Sequence, residues 1–142
     1  PGIKAGSHSK VSVSGVDILP TIASFAGGTA QHERLDGGSM KPLLLGKAKE
    51  VKRNNDFLIF HHAIKRKPQT AIIKGDYKLV KTWKNDLVEL FDLSNDLSEN
   101  KNLAKKKPKK TEELLQKIEN YLANNKSSTE YKPESKKKKK GK

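Results

Sequence analysis

The chain contains no cysteine, which excludes disulfides, thiolate-held zinc and a cysteine nucleophile within its 142 residues. It leaves the redox compartment open. No run of about 18 apolar residues occurs, so no segment reads as a membrane-spanning helix. Hydrophobic residues are scarce at 33%, charged residues reach 32%, and aromatics make up only 6%. That balance points to a modest folded body with a solvated tail rather than a compact globule of full length. There is no N-terminal Met and no signal-peptide pattern, and the opening Pro1-Gly2 reads as the middle of a longer polypeptide.

Positive charge is in excess. The net charge is +14, and residues 126–142 hold eight lysines against two glutamates. A basic surface attracts polyanions through counterion release and long-range fields, so nucleic acid, anionic headgroups and sulfated glycans all qualify. The five consecutive lysines at 136–140 have no interleaved aromatics, which argues against a base-stacking site. Nucleic acid is therefore not the expected partner. The Ser/Thr/Lys composition of residues 126–142 predicts a disordered tail.

Upstream of the tail the pattern is alternately helical and extended. Asp17 is placed as the N-cap of a helix reaching about Ala26, with Pro20 in its first turn and Gly27-Gly28 as its stop. Ile18, Leu19, Ile22, Phe25 and Ala26 recur at helical spacing, which predicts one buried face. Ser39 is expected to cap a short helix over residues 40–45, ended by Gly46. Residues 57–62, 70–73, 77–82 and 87–91 read as four strands, with turn chemistry at Gly75-Asp76 and Asn85-Asp86. A basic break around Pro108 precedes a helix capped by Thr111, whose Leu114, Leu115, Ile118, Tyr121 and Leu122 form one apolar stripe.

The most informative stretch runs from Ala71 to Ala104, AIIKGDYKLVKTWKNDLVELFDLSNDLSENKNLA. Gly75, Tyr77, Lys78 and Leu79, then Glu89, Leu90, Asp92, Leu93, Asp96, Glu99, Asn102, Leu103 and Ala104, resemble the C-terminal signature of formylglycine-dependent sulfatases. Earlier pieces match in the same order: Pro1 to Ser7, then Asp17-x-x-Pro20-Thr21 and Leu35-Asp36-Gly37-x-Ser39. The resemblance covers residues 1 to about 125 and leaves two departures, Lys74 for the usual Arg and Leu97 for the usual Pro.

The resemblance implies an alkaline-phosphatase-like α/β parent enzyme that hydrolyses sulfate esters. Within it, this segment is expected to be α+β, a small four-stranded antiparallel sheet with a packed C-terminal helix. Residues 1–50 would close the main α/β domain, 51–125 would form the C-terminal subdomain, and 126–142 the tail. The chemistry would use a formylglycine made from Cys or Ser in a Cys/Ser-x-Pro-x-Arg motif, and a calcium ion on Asp and Asn oxygens. A sulfate ester needs such a nucleophile and dense positive charge on its oxygens. No Ser here lies two residues before a Pro and four before an Arg, so this segment alone is expected to be inactive.

Its role would be the rim of the substrate cleft. His61 and His62 close the first predicted strand, where neighbours point to opposite faces, so one of them is expected to face the substrate. Lys65, with Arg66 and Lys67, would extend that rim toward an anionic glycan, although charge runs are more often simply solvated. No catalytic or metal-binding residue is assigned in this segment. Adjacent histidines on a strand cannot converge on one ion, and Asp92, Asp96 and Glu99 lack the spacing of a calcium loop. The expected partners are a sulfated glycan and the remainder of the sulfatase chain, and the expected location is periplasmic or extracellular. Two alternatives remain: a phosphodiesterase or phosphonate hydrolase of the same superfamily, and a non-enzymatic basic module that binds polyanions.

Overall fold

The structure is a computed structural model and describes residues 2–30, 35–63 and 68–127. Of the expected tail at 126–142, residues 128–142 lie outside the described residues, as do Lys65, Arg66 and Lys67, while the amides of Lys126 and Ser127 bond back to the carbonyls of Ala123 and Leu122. The chain divides into two compact units, Pro1–Leu58 and Ile59–Lys142.

The first unit is built around a buried charge. A single 3-10 turn, Gly15–Asp17, runs into helix α1, Ile18–Phe25, and a one-turn helix α2 follows at Lys41–Leu44. The Asp17 side chain is fully buried. Its Oδ1 accepts the Gly38 N–H at 2.9 Å and Arg53 Nε at 2.8 Å. Its Oδ2 accepts the Ser14 N–H at 2.8 Å and the second fork of Arg53 at 2.7 Å. Arg53 also donates to the Ser12 carbonyl. Thr21 extends the cluster, its hydroxyl donating to the Asp17 carbonyl at 2.6 Å and accepting the Met40 N–H at 2.8 Å. Two glycines permit this approach: a Cβ on Gly37 would stand 1.9 Å from the Val16 oxygen, and one on Gly38 would stand 2.1 Å from the Lys52 oxygen.

Asp17 holds the N-cap position of α1 and Ala26 the C-cap position, as expected. The Asp17 side chain makes no cap hydrogen bond to α1, because its oxygens take the Arg53 fork and the Ser14 and Gly38 amides. The expected burial of the apolar face of α1 fails. Ile18, Leu19, Ile22 and Phe25 are 53, 64, 62 and 47% exposed, and the buried residues of the helix are Pro20 and Thr21. The polar side of the helix faces inward because it carries the partners of the Asp17 cluster. Helix α2 begins one residue later than expected, with Met40 rather than Ser39 at its N-cap position, and the Ser39 hydroxyl accepts the Lys41 N–H.

The second unit holds the four expected strands: β1 (Leu58–His62, starting at the unit boundary), β2 (Gln69–Lys74), β3 (Tyr77–Thr82) and β4 (Leu87–Asp92). They lie side by side in chain order, with β2–β3 and β3–β4 antiparallel. Cross-strand register stacks Ile72, Leu79 and Leu90 on one face, all at 0% exposure. Helix α3, Pro108–Asn124, covers that face with Leu114, Ile118 and Leu122. The helix starts three residues before the expected Thr111 cap, because Pro108 takes its first position, where a missing N–H costs no hydrogen bond. Thr111 lies inside the first turn and donates to the Lys107 carbonyl.

These packings set two measurable outcomes. Ile118→Ala should cost about 2–5 kcal/mol in a denaturant melt, and Leu115→Ala, at a half-buried position, clearly less. Equal losses would mean that α3 is rotated from the face described. For Asp17, burial opposes its charge, but Arg53 and the Gly38 and Ser14 amides outweigh it and hold its carboxyl below the usual range. The folded value is thus lower than the unfolded value of about 3.9. The stabilisation is complete above that value and is lost as pH falls through the folded one. The amide resonance of Gly38 should move and broaden below about pH 4, ahead of Ile72 and Leu79; simultaneous loss of all three would contradict this.

Candidate functional site

The sheet face turned away from α3 carries the candidate site. Alternation along each strand sends Phe60 and His62 of β1 to this face, with Ala71 of β2, Lys78 and Val80 of β3, and Glu89 of β4. They line an open concavity of about 470 Å³, floored by apolar side chains and rimmed by polar ones. Phe60 is 46% exposed, leaving an aromatic surface at its edge.

The two histidines separate as alternation requires. His61 Nδ1 lies 2.8 Å from the hydroxyl of Thr70, a residue of the α3-covered face. That hydroxyl also accepts the Trp83 indole N–H at 2.7 Å. The His61 ring is thus held toward Thr70 in a side-chain network, although the residue also borders the concavity. His62 is exposed on the concave side, and its side chain has no hydrogen-bond partner among the described residues.

Sequence reasoning missed two residues of this face. The Lys78 ammonium meets Glu99 Oε1 at 2.6 Å on the rim of the concavity. Glu89 is half-buried on the same face, and its carboxylate has no hydrogen bond or ion pair among the described residues. The available signal was the strand period. With Leu90 in the core, Glu89 must face the other way, although it belongs to the same signature.

The rest of that signature builds the sheet edge. Asn102 Oδ1 accepts the N–H of Leu90 at 3.1 Å and of Ala104 at 2.9 Å, while the Leu103 N–H donates to the Leu90 carbonyl at 2.7 Å. The backbone of β4 is thereby paired along its outer edge. Asp96 accepts the amides of Asn100 and Lys101 and closes the preceding turn. Asp92 accepts from Ser94 and Asn95, bonds that hold its carboxyl below the usual range. These carboxylates are occupied by turns. Among the described residues no group of three His, Cys, Asp or Glu side chains could hold a metal ion.

The comparisons with known proteins agree with this architecture. Residues 1–128 match the family described as N-sulphoglucosamine sulphohydrolase, C-terminal, and the chain belongs to that family. It is 32% identical over 127 residues to an N-acetylglucosamine-6-O-sulfatase of Bacteroides thetaiotaomicron, covering 82% of this chain and 22% of that protein. Among solved structures it is similar to BT4656 in complex with its substrate D-glucosamine-2-N,6-O-disulfate, with a TM-score of 0.68 and 28% identity over 88% of this chain and 27% of that one. The complex of Ps i-CgsB with k-i-k-neocarrahexaose shares the fold at a TM-score of 0.73, with 23% identity over 92% of this chain and 28% of that one. The chain spans only 22% of the length of the curated sulfatases it matches. Its fold is that of the C-terminal part of alkaline-phosphatase-like sulfatases.

Sulfatases of this family work with a formylglycine and a metal ion. This segment does not fit either group, since it has no cysteine, none of its serines stands in a Ser-x-Pro-x-Arg motif, and no carboxylates converge among the described residues. An aromatic edge, an imidazole, an ammonium paired with Glu99 and an open carboxylate surround the concavity.

The edge staple has its own test. Asn102→Ala removes the acceptor for two backbone amides and should lower unfolding stability by about 1 kcal/mol. Faster hydrogen exchange at Leu90 should accompany it, and unchanged exchange there would show that the edge is held by other means.

Proposed function

We propose that the chain serves a sulfatase acting on a sulfated carbohydrate and forms a wall of its substrate cleft rather than the catalytic centre. The observation that carries this is the family match across residues 1–128, joined to an open polar and aromatic sheet face. Relatives named for glucosamine sulfates support an amino-sugar glycan as the substrate class. They also favour sulfate-ester over phosphate-ester hydrolysis.

The chemistry of the face narrows how a sugar would lie on it. Phe60 offers an apolar edge to ring C–H groups. Glu89 at the centre would repel a sulfate and accept hydrogen bonds from hydroxyl or amide groups. The uncharged part of the sugar therefore lies against β4, with its sulfate directed away from Glu89. His62 donates or accepts at the rim. The formylglycine and calcium would be held by the larger part of the enzyme, which supplies the nucleophile and the positive charge on the sulfate oxygens. A sulfated polysaccharide is too large and too charged to cross a bilayer, which supports a periplasmic or extracellular site of action.

The test is kinetic, on an enzyme that contains this chain together with a catalytic sulfatase body. His62→Ala should lower kcat/KM for the sulfated glycan by roughly 10- to 100-fold, as expected for one lost hydrogen bond to substrate. A small aryl sulfate, which does not reach this wall, should be affected much less. His61→Ala should instead lower thermal stability, because it breaks into the Thr70–Trp83 network. The 142-residue chain by itself should release no sulfate. If neither histidine changes the ratio between glycan and aryl sulfate, the wall is elsewhere.

A further inference from the structure

We propose that Lys101, Lys105, Lys106 and Lys109 form a second binding surface, outside the concavity, that holds a run of sulfate groups along a polysaccharide. Naming the ligand rests on the function proposed above; the surface itself does not. Residues 101–110 hold six lysines and no acidic residue. Two of the six are engaged. The Lys110 ammonium sits 2.6 Å from Glu113 Oε2, and that of Lys107 donates to the Tyr77 hydroxyl at 2.9 Å. The other four are exposed, and their ammoniums have no partner among the described residues. Nearby carboxylates do not neutralise them: Asp92 and Asp96 close turns, Glu99 meets Lys78, and Glu113 takes Lys110 and Lys74. Glu112 is the one carboxylate left open in residues 92–113.

These lysines stand on ordered backbone. The Lys106 and Lys107 amides both donate to the Leu103 carbonyl at 2.9 Å, and the Leu103 amide is tied to Leu90 of β4 at 2.7 Å. The Thr111 hydroxyl reaches the Ala104 carbonyl at 3.2 Å, which clamps the turn against α3. A polyanion meeting charges held this way pays less for ordering than one meeting a free lysine run. The charge does not serve the fold. The positive end of a helix favours carboxylates, yet the first turn of α3 has no acidic residue and carries Lys109 and Lys110. Breaks of a local rule in an otherwise consistent sequence are expected at functional positions.

The surroundings choose the occupant. Glu99, on the rim of the concavity, is followed after two residues by Lys101 and after six by Lys105. That path is at most about 20 Å, so a polymer with one ring in the concavity can reach the lysines. Nucleic acid fits less well. The aromatic ring beside the patch, Tyr77, carries the Lys107 and Lys110 ammoniums at 5.2 and 5.7 Å from its centre, so it is committed to cations rather than open to a base. A bilayer surface also fits less well, because no large hydrophobic residue is exposed within residues 98–127 to insert beside the charges.

The test titrates the full 142-residue chain with a heparin oligosaccharide, and with its desulfated counterpart as control, by calorimetry over a series of salt concentrations. The combined variant Lys105→Gln, Lys106→Gln, Lys109→Gln should bind about 10-fold or more weakly, with the slope of log K against log salt reduced by roughly 2 to 3. Its melting midpoint should be equal or higher, and Arg at the same positions should keep the binding. Lys101→Gln alone should give a smaller loss in the same direction, and serves if the combined variant misfolds. Lys137→Gln with Lys138→Gln and Lys139→Gln removes the same charge from the tail and should cost clearly less. The proposal is overturned if the lysine variants bind as wild type, if the tail variant loses as much, or if desulfated heparin binds equally. Tighter binding of single-stranded DNA or of phosphatidylserine vesicles through the same lysines would also overturn it. Lysine-dependent heparin binding with glycan turnover indifferent to His62→Ala would keep this surface and remove the cleft wall. Loss of turnover in His62→Ala with heparin binding indifferent to the lysine changes would do the reverse.

Discussion

A buried carboxylate holds the first unit together. Asp17 takes four hydrogen bonds, two from the Arg53 fork and two from loop amides, so three separate pieces of chain meet on one side chain. Such a pair adds little net stability over an apolar replacement, but removing one partner costs about 3–5 kcal/mol because the other charge stays buried. What it contributes is position. It fixes the turn before α1, the glycine loop and the segment around Arg53 in one arrangement. By occupying the interior with polar groups it also sends the apolar side of α1 outward. The surface of this unit is therefore a consequence of its centre.

The second unit follows the opposite rule, with an apolar seam between sheet and helix. Its signature residues divide among several structural jobs. Leu79 and Leu90 face α3, Asn102 and Leu103 pair the outer edge of β4, and Asp92 and Asp96 close turns. Lys78 and Glu99 tie β3 to the segment beyond β4 across the rim of the concavity. Of that signature, Glu89 alone is directed into the concavity with no partner among the described residues, in company with His62 from outside the motif. Rigid strands hold both, which suits recognition of a sugar better than a loop would. In the proposed function the chemistry on the sulfate would fall to groups outside these residues.

Much of this was legible in the chain. The four strands and the stripe of α3 follow from period-2 and period-3.6 patterns over short windows, and the separation of His61 from His62 follows from the pleat alone. The helix start at Pro108 was missed because lysines on both sides look like a linker, although a proline at the first helical position is favourable. Arg53 was not legible at all. It lies 36 residues from its partner, inside a basic run with no local pattern, and only the fold brings the two together. The face of α1 was misjudged for a related reason: periodicity shows that a stripe exists but not whether this chain provides its cover.

The most direct measurement is a structure of this chain assembled with a sulfatase body and a sulfated glucosamine oligosaccharide. The account predicts a sugar ring against Phe60, with His62 and Glu89 in hydrogen-bonding reach of its uncharged groups and its sulfate turned away from Glu89. It would be contradicted if that sheet face were filled by protein side chains, or if the sulfate itself sat against Glu89.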